Sequence, residues 1–223
     1  MQQFPATAAV SAVLDIPAGR IRLVAADRAD ATVEVRPADA AKGRDVKAAE
    51  ETRVEFLDGV LRIAAAPAKN KIMGNSGSVE VTVHLPSGSH VEAKVAAGEV
   101  RGVGRLGNVA VEGAQAGIAL EESASARLTV QAGDISLGRL DGPAQISTQK
   151  GAITIAEAVR GEVVLTTQHG DITVGAASGT SATLDAGTSH GRVHNALTHV
   201  DGEAAALHLH ATTAYGDITA RGN

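Results

Sequence analysis

Aromatic residues are almost absent from this chain of 223 residues. Phe4, Phe56 and Tyr215 are the only ones, so alanine, valine, leucine and isoleucine must supply nearly all of the burial. Small aliphatic side chains fill a thin layer well and a wide core badly. The scarcity of rings and the formal net charge of −5 both argue against a nucleic-acid partner, because bases stack on rings and phosphates attract basic surfaces.

Cysteine is absent, which excludes disulfides, thiolate catalysis and zinc–thiolate sites. No window approaches the roughly 18 to 20 apolar residues that span a bilayer, so we expect no membrane insertion. The N-terminus has no basic residue before Arg20, and Pro5, Ser11 and Asp15 interrupt its apolar stretch, unlike a secretory signal. With Met1 as the native start, the sequence predicts a cytoplasmic location.

Glycine divides the sequence into two regions near residue 92. Residues 1–92 hold 6 of the 25 glycines, and residues 93–223 hold the other 19. The first region alternates apolar and polar residues over short runs, which indicates half-buried strands. Its Asp58-Gly59 pair is typical of a two-residue hairpin turn, and Ala38 to Glu51 favours a short helix or an ordered loop. We predict a mainly antiparallel β segment over residues 1–92 that caps a solenoid over residues 93–223, as one continuous structural unit.

A repeated unit of glycine, a variable residue and an aliphatic residue fills the second region. Its glycines are separated by 18, 19, 21 and 25 residues, and each interval contains a second short strand with its own turn. Such a period, with two strands and two turns per unit, is the signature of a stacked solenoid. The predicted fold class is therefore all-β. The repeats begin at Gly133, Gly151, Gly170, Gly191 and Gly216.

Alternation along each strand predicts which side chains face the core. In the repeat that begins at Gly170, Ile172 points to one face and Thr173 to the other. A flat coil of this kind holds a core one or two side chains thick, which explains why aliphatic residues suffice. The predicted inner ladder is Ile135, Ile153, Ile172, Val193 and Ile218, and the predicted outer ladder is Ser136, Thr154, Thr173, His194 and Thr219.

Two patterns in the repeats raise the question of a metal. The glycine–aspartate turns supply at most one carboxylate per coil, whereas calcium takes about six to eight oxygens, so we interpret these aspartates as acceptors of backbone N–H bonds. His169 and His190 each precede a repeat glycine, which predicts neighbouring positions with Lys150 below and Tyr215 above. The favoured interpretation is solvent-exposed turn histidines, and a shared transition metal is the alternative.

No catalytic pattern is present in the sequence. It has no Gly-x-Ser-x-Gly, and no helical pattern follows the Gly-x-Gly-x-x-Gly match that ends at Gly107, as a dinucleotide site would need. Acidic pairs such as Glu121-Glu122 are more often solvated than catalytic. We therefore predict a chain that is not an enzyme, with no catalytic residue and no cofactor.

Two segments are candidates for binding another protein. The loop around Ile72 and Met73 is basic and glycine-rich, which fits a flexible hairpin loop or a partner contact. Only three residues follow Ala220, too few to cover the last coil, although stacked repeats normally close with a cap. The sequence therefore predicts that Ile218 and Thr219 contact another chain, either a second copy in a homodimer or an unknown protein partner.

The chain resembles the bacterial β-strand repeat family labelled "putative adhesin", a domain of unknown function related to the toast-rack domains of envelope-stress proteins. The likeness covers nearly the whole chain and is greatest to short, leaderless actinobacterial members. It implies a β-solenoid scaffold without established catalytic residues, and the label implies surface display. Besides the repeats, the segments that carry it are Val13-Leu14-Asp15-Ile16-Pro17-Ala18-Gly19-Arg20-Ile21 and Gly88-Ser89-His90-Val91-Glu92-Ala93-Lys94.

Three functions are consistent with the sequence. The leading hypothesis is a non-catalytic interaction scaffold related to adhesion or envelope stress, because the ladders are regular and no catalytic pattern is found. The alternatives are a carbohydrate-active β-solenoid enzyme and a sensor of metals or small ligands at the histidine-bearing edge. Glycan cleavage would favour the first alternative, and metal-dependent melting the second.

Overall fold

The chain folds almost entirely into β-strands, which confirms the predicted all-β class. The structure, a computed structural model, describes residues 1–65, 77–197 and 205–223. Across these ranges, no helix has the length and apolar character needed to cross a membrane. The chain divides into two compact units, Met1–Ala116 and Gly117–Asn223.

The first unit has strand pairs of both directions. Its elements are β1 (Gln2–Pro5), β2 (Ser11–Ala26), β3 (Asp30–Pro37), α1 (Gly43–Glu51), β4 (Arg53–Leu57), β5 (Val60–Ala64), β6 (Val79–Pro86) and the first part of β7 (His90–Ala132). Antiparallel pairs join β1 to β3, β3 to β6 and β4 to β5. Parallel pairs join β2 to β5, β6 and β7.

The core of the first unit lies along β2. Leu14 and Ile16 alternate with more exposed residues before the bend near Gly19, and Ile21 and Leu23 do so after it; all four are at most 1% exposed, as expected for a strand that buries one face. The predicted hairpin is confirmed, because Asp58 and Gly59 have φ values of 50° and 76° and join β4 to β5. The helix α1 lies within the segment that favoured one.

The predicted boundary near residue 92 is not marked by the strand arrangement. β7 runs through this position without a break, and Ser11 to Val24 of β2 pair in parallel with His90 to Val103 of β7. Parallel stacking is therefore present in the first unit as well as in the repeats. The division at residue 92 stays a prediction.

The second unit is a stack of bent coils, each made of two strands joined at a repeat glycine. Its strands after β7 are β8 (Ile135–Leu140), β9 (Ala144–Lys150), β10 (Ile153–Ala158), β11 (Gly161–His169), β12 (Ile172–Ala176), β13 (Ala182–His190), β14 (Val193–Ala196), β15 (Leu207–Tyr215) and β16 (Ile218–Gly222). We name each coil by its glycine: the Gly133 coil joins the end of β7 to β8, the Gly151 coil joins β9 to β10, and the Gly170 coil joins β11 to β12. The Gly191 coil joins β13 to β14, and the Gly216 coil joins β15 to β16.

The spatial order of the coils differs from their order in the chain. β15 pairs in parallel with β11 on one side and with β13 on the other. Likewise, β16 lies between β12 and β14. The Gly216 coil, last in the sequence, is therefore inserted between the Gly170 and Gly191 coils. The Gly191 coil, residues 182–196, is at the end of the stack.

This insertion corrects the order of the predicted inner ladder. Ile135, Ile153, Ile172 and Ile218 are consecutive in the register and are at most 1% exposed. Val193 faces Ile218 in the same ladder but is 45% exposed. The repeat pattern predicts its inward direction correctly. Val193 is exposed because it belongs to the Gly191 coil, which we call the terminal coil because it lies at the end of the stack.

Candidate functional site

The two strands of each coil meet at a repeat glycine, and we call these positions the glycine corners. They are tightly constrained backbone positions of the second unit. Gly170 has a φ of 154°, which residues with a side chain rarely adopt. A Cβ at this position would also meet the carbonyl oxygen of Gly151 in the adjacent coil. Glycine therefore allows the corners to stack closely, which explains its recurrence at each repeat.

At four of these corners, the threonine three residues before the glycine donates a hydrogen bond to a glycine carbonyl of the neighbouring coil. The hydroxyls of Thr167 and Thr213 donate to the carbonyl oxygens of Gly151 and Gly170, at 3.1 and 3.0 Å, and both threonines are almost fully buried. Thr148 and Thr188 occupy the same place in their coils. Sequence reasoning missed this role, although Thr-x-x-Gly recurs at Gly151, Gly170, Gly191 and Gly216.

The aspartates after the glycines connect neighbouring coils. Asp171 Oδ1 accepts from the backbone N–H of Asp217 at 2.8 Å, and Asp217 Oδ1 accepts from that of Arg192 at 2.8 Å. Asp134 accepts from Ala152 in the same way. The predicted acceptor role is confirmed, but the N–H belongs to the next coil instead of the same turn. No cluster of three or more potential metal-ligating residues occurs in the described ranges.

The two candidate metal-binding histidines are not neighbours. Tyr215 lies between them, with its ring centroid 4.9 Å from that of His169 and 4.5 Å from that of His190. Both pairs are stacked with interplanar angles of 9°. The predicted one-coil separation is wrong because the Gly216 coil, which carries Tyr215, is inserted between the two histidine-bearing coils. Two imidazoles with a phenol ring between them cannot share one metal ion.

The outer surface of the strands before the corners carries two columns of uncharged polar side chains. The hydroxyl column consists of Thr129, Ser147, Thr166 and Thr212, which are paired in the strand register. The amide column consists of Gln131, Gln149 and Gln168. In each of these strands the residues just before and just after the glutamine are paired in the register, so the three glutamines are aligned. All seven side chains are exposed or half-buried. We call these columns, with the exposed rings of His169, Tyr215 and His190 beside them, the polar face.

The two residues proposed for an open end, Ile218 and Thr219, lie in an interior coil. Ile218 is fully buried, and β16 is paired on both sides, so the prediction of an open coil at this position is wrong. Thr219 is half-buried and lines a pocket with Arg192, Val193 and His194. Ile72 and Met73, the other candidates for a partner contact, lie outside the described residues.

The open end of the stack belongs to the terminal coil. In the described part of the chain, β13 pairs only with β15, and β14 pairs only with β16. Leu184 is half-buried, while its register partner Leu209 is 1% exposed. The sequence could have pointed to this coil, because its corner lacks the isoleucine of the regular unit and reads Gly191-Arg192-Val193.

A protein-family model described as Toastrack DUF4097 matches residues 13–223. The chain belongs to this Toastrack family. The match confirms two predictions: the resemblance to the toast-rack-related family and the β-solenoid-like fold. No curated protein matches the chain. The Toastrack chain is a β-solenoid scaffold.

Several solved structures are similar to this Toastrack chain. A "putative adhesin" from Bacteroides fragilis has 12% identity and a TM-score of 0.49, with coverage of 98% of this chain and 95% of that one. A "putative adhesin" from Parabacteroides distasonis has 14% identity, a TM-score of 0.47 and the same coverages. A "putative cell adhesion protein" from Clostridium sporogenes has 12% identity and a TM-score of 0.34, with coverage of 100% and 98%.

These neighbours correct the predicted location. Their descriptions name adhesins and a cell adhesion protein, which does not support a cytoplasmic location. The cytoplasmic prediction is therefore wrong. It rested on the lack of a signal pattern before Arg20, and an absence of this kind does not tell where a protein works.

Proposed function

We propose that this Toastrack chain is a non-catalytic adhesive scaffold at the cell surface, and that its polar face binds neutral glycan chains. The observation that carries the proposal is the alignment of the hydroxyl and amide columns on neighbouring strands. The descriptions of the structural neighbours suggest only the surface location. The proposed ligand rests on the chemistry of the polar face.

The side chains of the polar face match the chemistry of a neutral glycan. A glutamine amide donates two hydrogen bonds and accepts others, and a threonine or serine hydroxyl both donates and accepts. Sugar hydroxyls need partners of both kinds. The two columns contain no charged residue, so an uncharged ligand would not have to displace an ion pair.

The strand stack would lower the entropic cost of binding. Side chains on adjacent parallel strands are held about 4.8 Å apart by the backbone ladder, and a ligand that meets a preorganised row loses less free energy to ordering. The hydroxyl of Ser147 lies 3.4 Å from that of Thr129, so this part of the row is already connected. The amide side chains make no hydrogen bond to another described residue and are available to a ligand.

Tyr215 adds an aromatic contact beside the two columns. Its side chain is 51% exposed, although the stacked rings of His169 and His190 fix its orientation. A tyrosine offers apolar area and a hydroxyl group at low conformational cost. The ring edge and the phenol oxygen would contact a glycan that lies along the amide column.

The test is a glycan-array screen followed by calorimetric titration of the best glycan. Replacing Gln149 and Gln168 by alanine should weaken binding about tenfold or more, because each lost hydrogen bond is worth about 1 kcal/mol. The matched control replaces Thr154 and Thr173, which point outward from the opposite strands, and should leave affinity unchanged. Absence of glycan binding, or equal affinity of both double variants, would overturn the proposed ligand.

The non-catalytic part of the proposal has a separate test. Wild-type protein incubated with the bound glycan should release no new reducing ends above the buffer background. Cleavage that disappears when one acidic residue is changed to its amide would show an enzyme instead of an adhesive scaffold.

A further inference from the structure

The terminal coil exposes two sheet edges at once. In the described ranges, β13 and β14 each have a strand partner on one side only, and they lie on either side of the corner at Gly191. An unpaired edge is a template for pairing with another chain, and natural proteins usually block it with lysine, proline or a bulge. Residues 182–196 contain neither lysine nor proline.

The apolar layer of the terminal coil is also incompletely covered. Val193 is 45% exposed, whereas Ile218, its partner in the next coil, is fully buried. Leu184 and Ala186 in β13 are half-buried. Among the described residues, the inward positions of this coil therefore lack the covering layer that every interior coil receives from its second neighbour.

A second copy of this chain fits the surface better than a single peptide. One extended peptide adds a strand to one edge, which would leave the other edge of the coil unpaired. A second terminal coil presents two edges joined by the same corner and can cover both. A two-fold axis makes such an interface self-complementary and closes it at two copies.

The charges of the terminal coil allow it to face a copy of itself. Asp185 and Arg192 are its only acidic and basic residues apart from histidines. Arg192 is already held by Asp217, with 3.4 Å between the guanidinium nitrogen Nη2 and the carboxylate oxygen Oδ2. Two such coils can approach without the repulsion that a row of like charges would cause.

We propose that the Toastrack chain forms a two-fold homodimer in which the terminal coils, residues 182–196, stack on each other. Val193 and Leu184 of both copies form the apolar centre of this interface. The dimer interface shares only His190 with the polar face and includes neither the hydroxyl column nor the amide column, so it is tested without any glycan.

The test is sedimentation velocity of the full chain over a wide range of concentration. The wild type should change from one copy to two as concentration rises, and Val193→Asp should raise the dimer dissociation constant at least about tenfold. Leu184→Lys is the second variant, and Thr154→Asp, on an outward position of an interior coil, is the matched control. Circular dichroism melts of each variant establish that it is folded.

Three outcomes would overturn the homodimer. The wild type could stay a single copy at every concentration. It could form a dimer that neither Val193→Asp nor Leu184→Lys weakens, which would put the interface elsewhere. It could also grow into species larger than two copies, which would exclude a closed two-fold interface.

Discussion

The Gly170 coil and the terminal coil follow the same repeat but have different burial. Ile172 and Val193 occupy equivalent inward positions, yet Ile172 is fully buried and Val193 is 45% exposed. Val163 and Leu184, which are both register partners of Leu209, differ in the same direction, because Val163 is fully buried and Leu184 is half-buried. The repeat determines the direction of a side chain, whereas burial depends on whether a coil lies on both sides.

The inward positions should show this contrast most strongly. Ile172→Asp should lower the free energy of unfolding by at least about 3 kcal/mol, because it buries a charge without a partner. Val193→Asp should lower it by less than about 1 kcal/mol at dilute concentration, since solvent reaches this position. Urea unfolding of both variants is the measurement, and equal losses would contradict the assigned order of the coils.

The glycine corners should have the next largest effect. Gly170→Ala should cost about 2 kcal/mol or more, because alanine is disfavoured at this φ and its Cβ meets the carbonyl of Gly151. Gly187→Ala is the matched control, since a Cβ there meets no atom. Thermal melts should separate the two variants clearly. A Gly170→Ala protein as stable as Gly187→Ala would show that the corners do not need glycine.

The corner threonines should have a smaller effect. Thr167→Val keeps the shape of a buried side chain but removes its bond to the Gly151 carbonyl, for an expected loss of about 1 kcal/mol. Thr188→Val in the terminal coil should cost less, because Thr188 is only half-buried. The outward Thr166→Val serves as control in the same urea titration. If Thr166→Val destabilises as much as Thr167→Val, the hydroxyl bond does not stabilise the corner.

The connection between the last two coils should have the smallest effect. Asp217→Ala removes the acceptor for the N–H of Arg192 and should cost about 0.5 to 1 kcal/mol. Hydrogen exchange should accelerate at the amide of Arg192, whereas Asp217→Asn keeps an acceptor oxygen and should change exchange less. Unchanged exchange at this amide in Asp217→Ala would contradict the proposed role of the side chain.

Most of the local structure could be predicted from the sequence. The hairpin at Asp58-Gly59 and the inward direction of Ile135, Ile153 and Ile172 follow from turn chemistry and alternation, which act within a few residues. The polar face was not predicted. The outward direction of its residues follows from alternation, but its columns depend on which strands become neighbours.

The sequence by itself determined the strands, the corners and the two faces of each coil, because these depend on backbone conformation and on a period of two residues. Only the tertiary structure decided the order of the coils. Parallel strands with the same repeat offer nearly equivalent partners, so spacing along the chain cannot tell that β15 lies between β11 and β13. That choice put Tyr215 between His169 and His190, buried Ile218, and made residues 182–196 the open end of the stack.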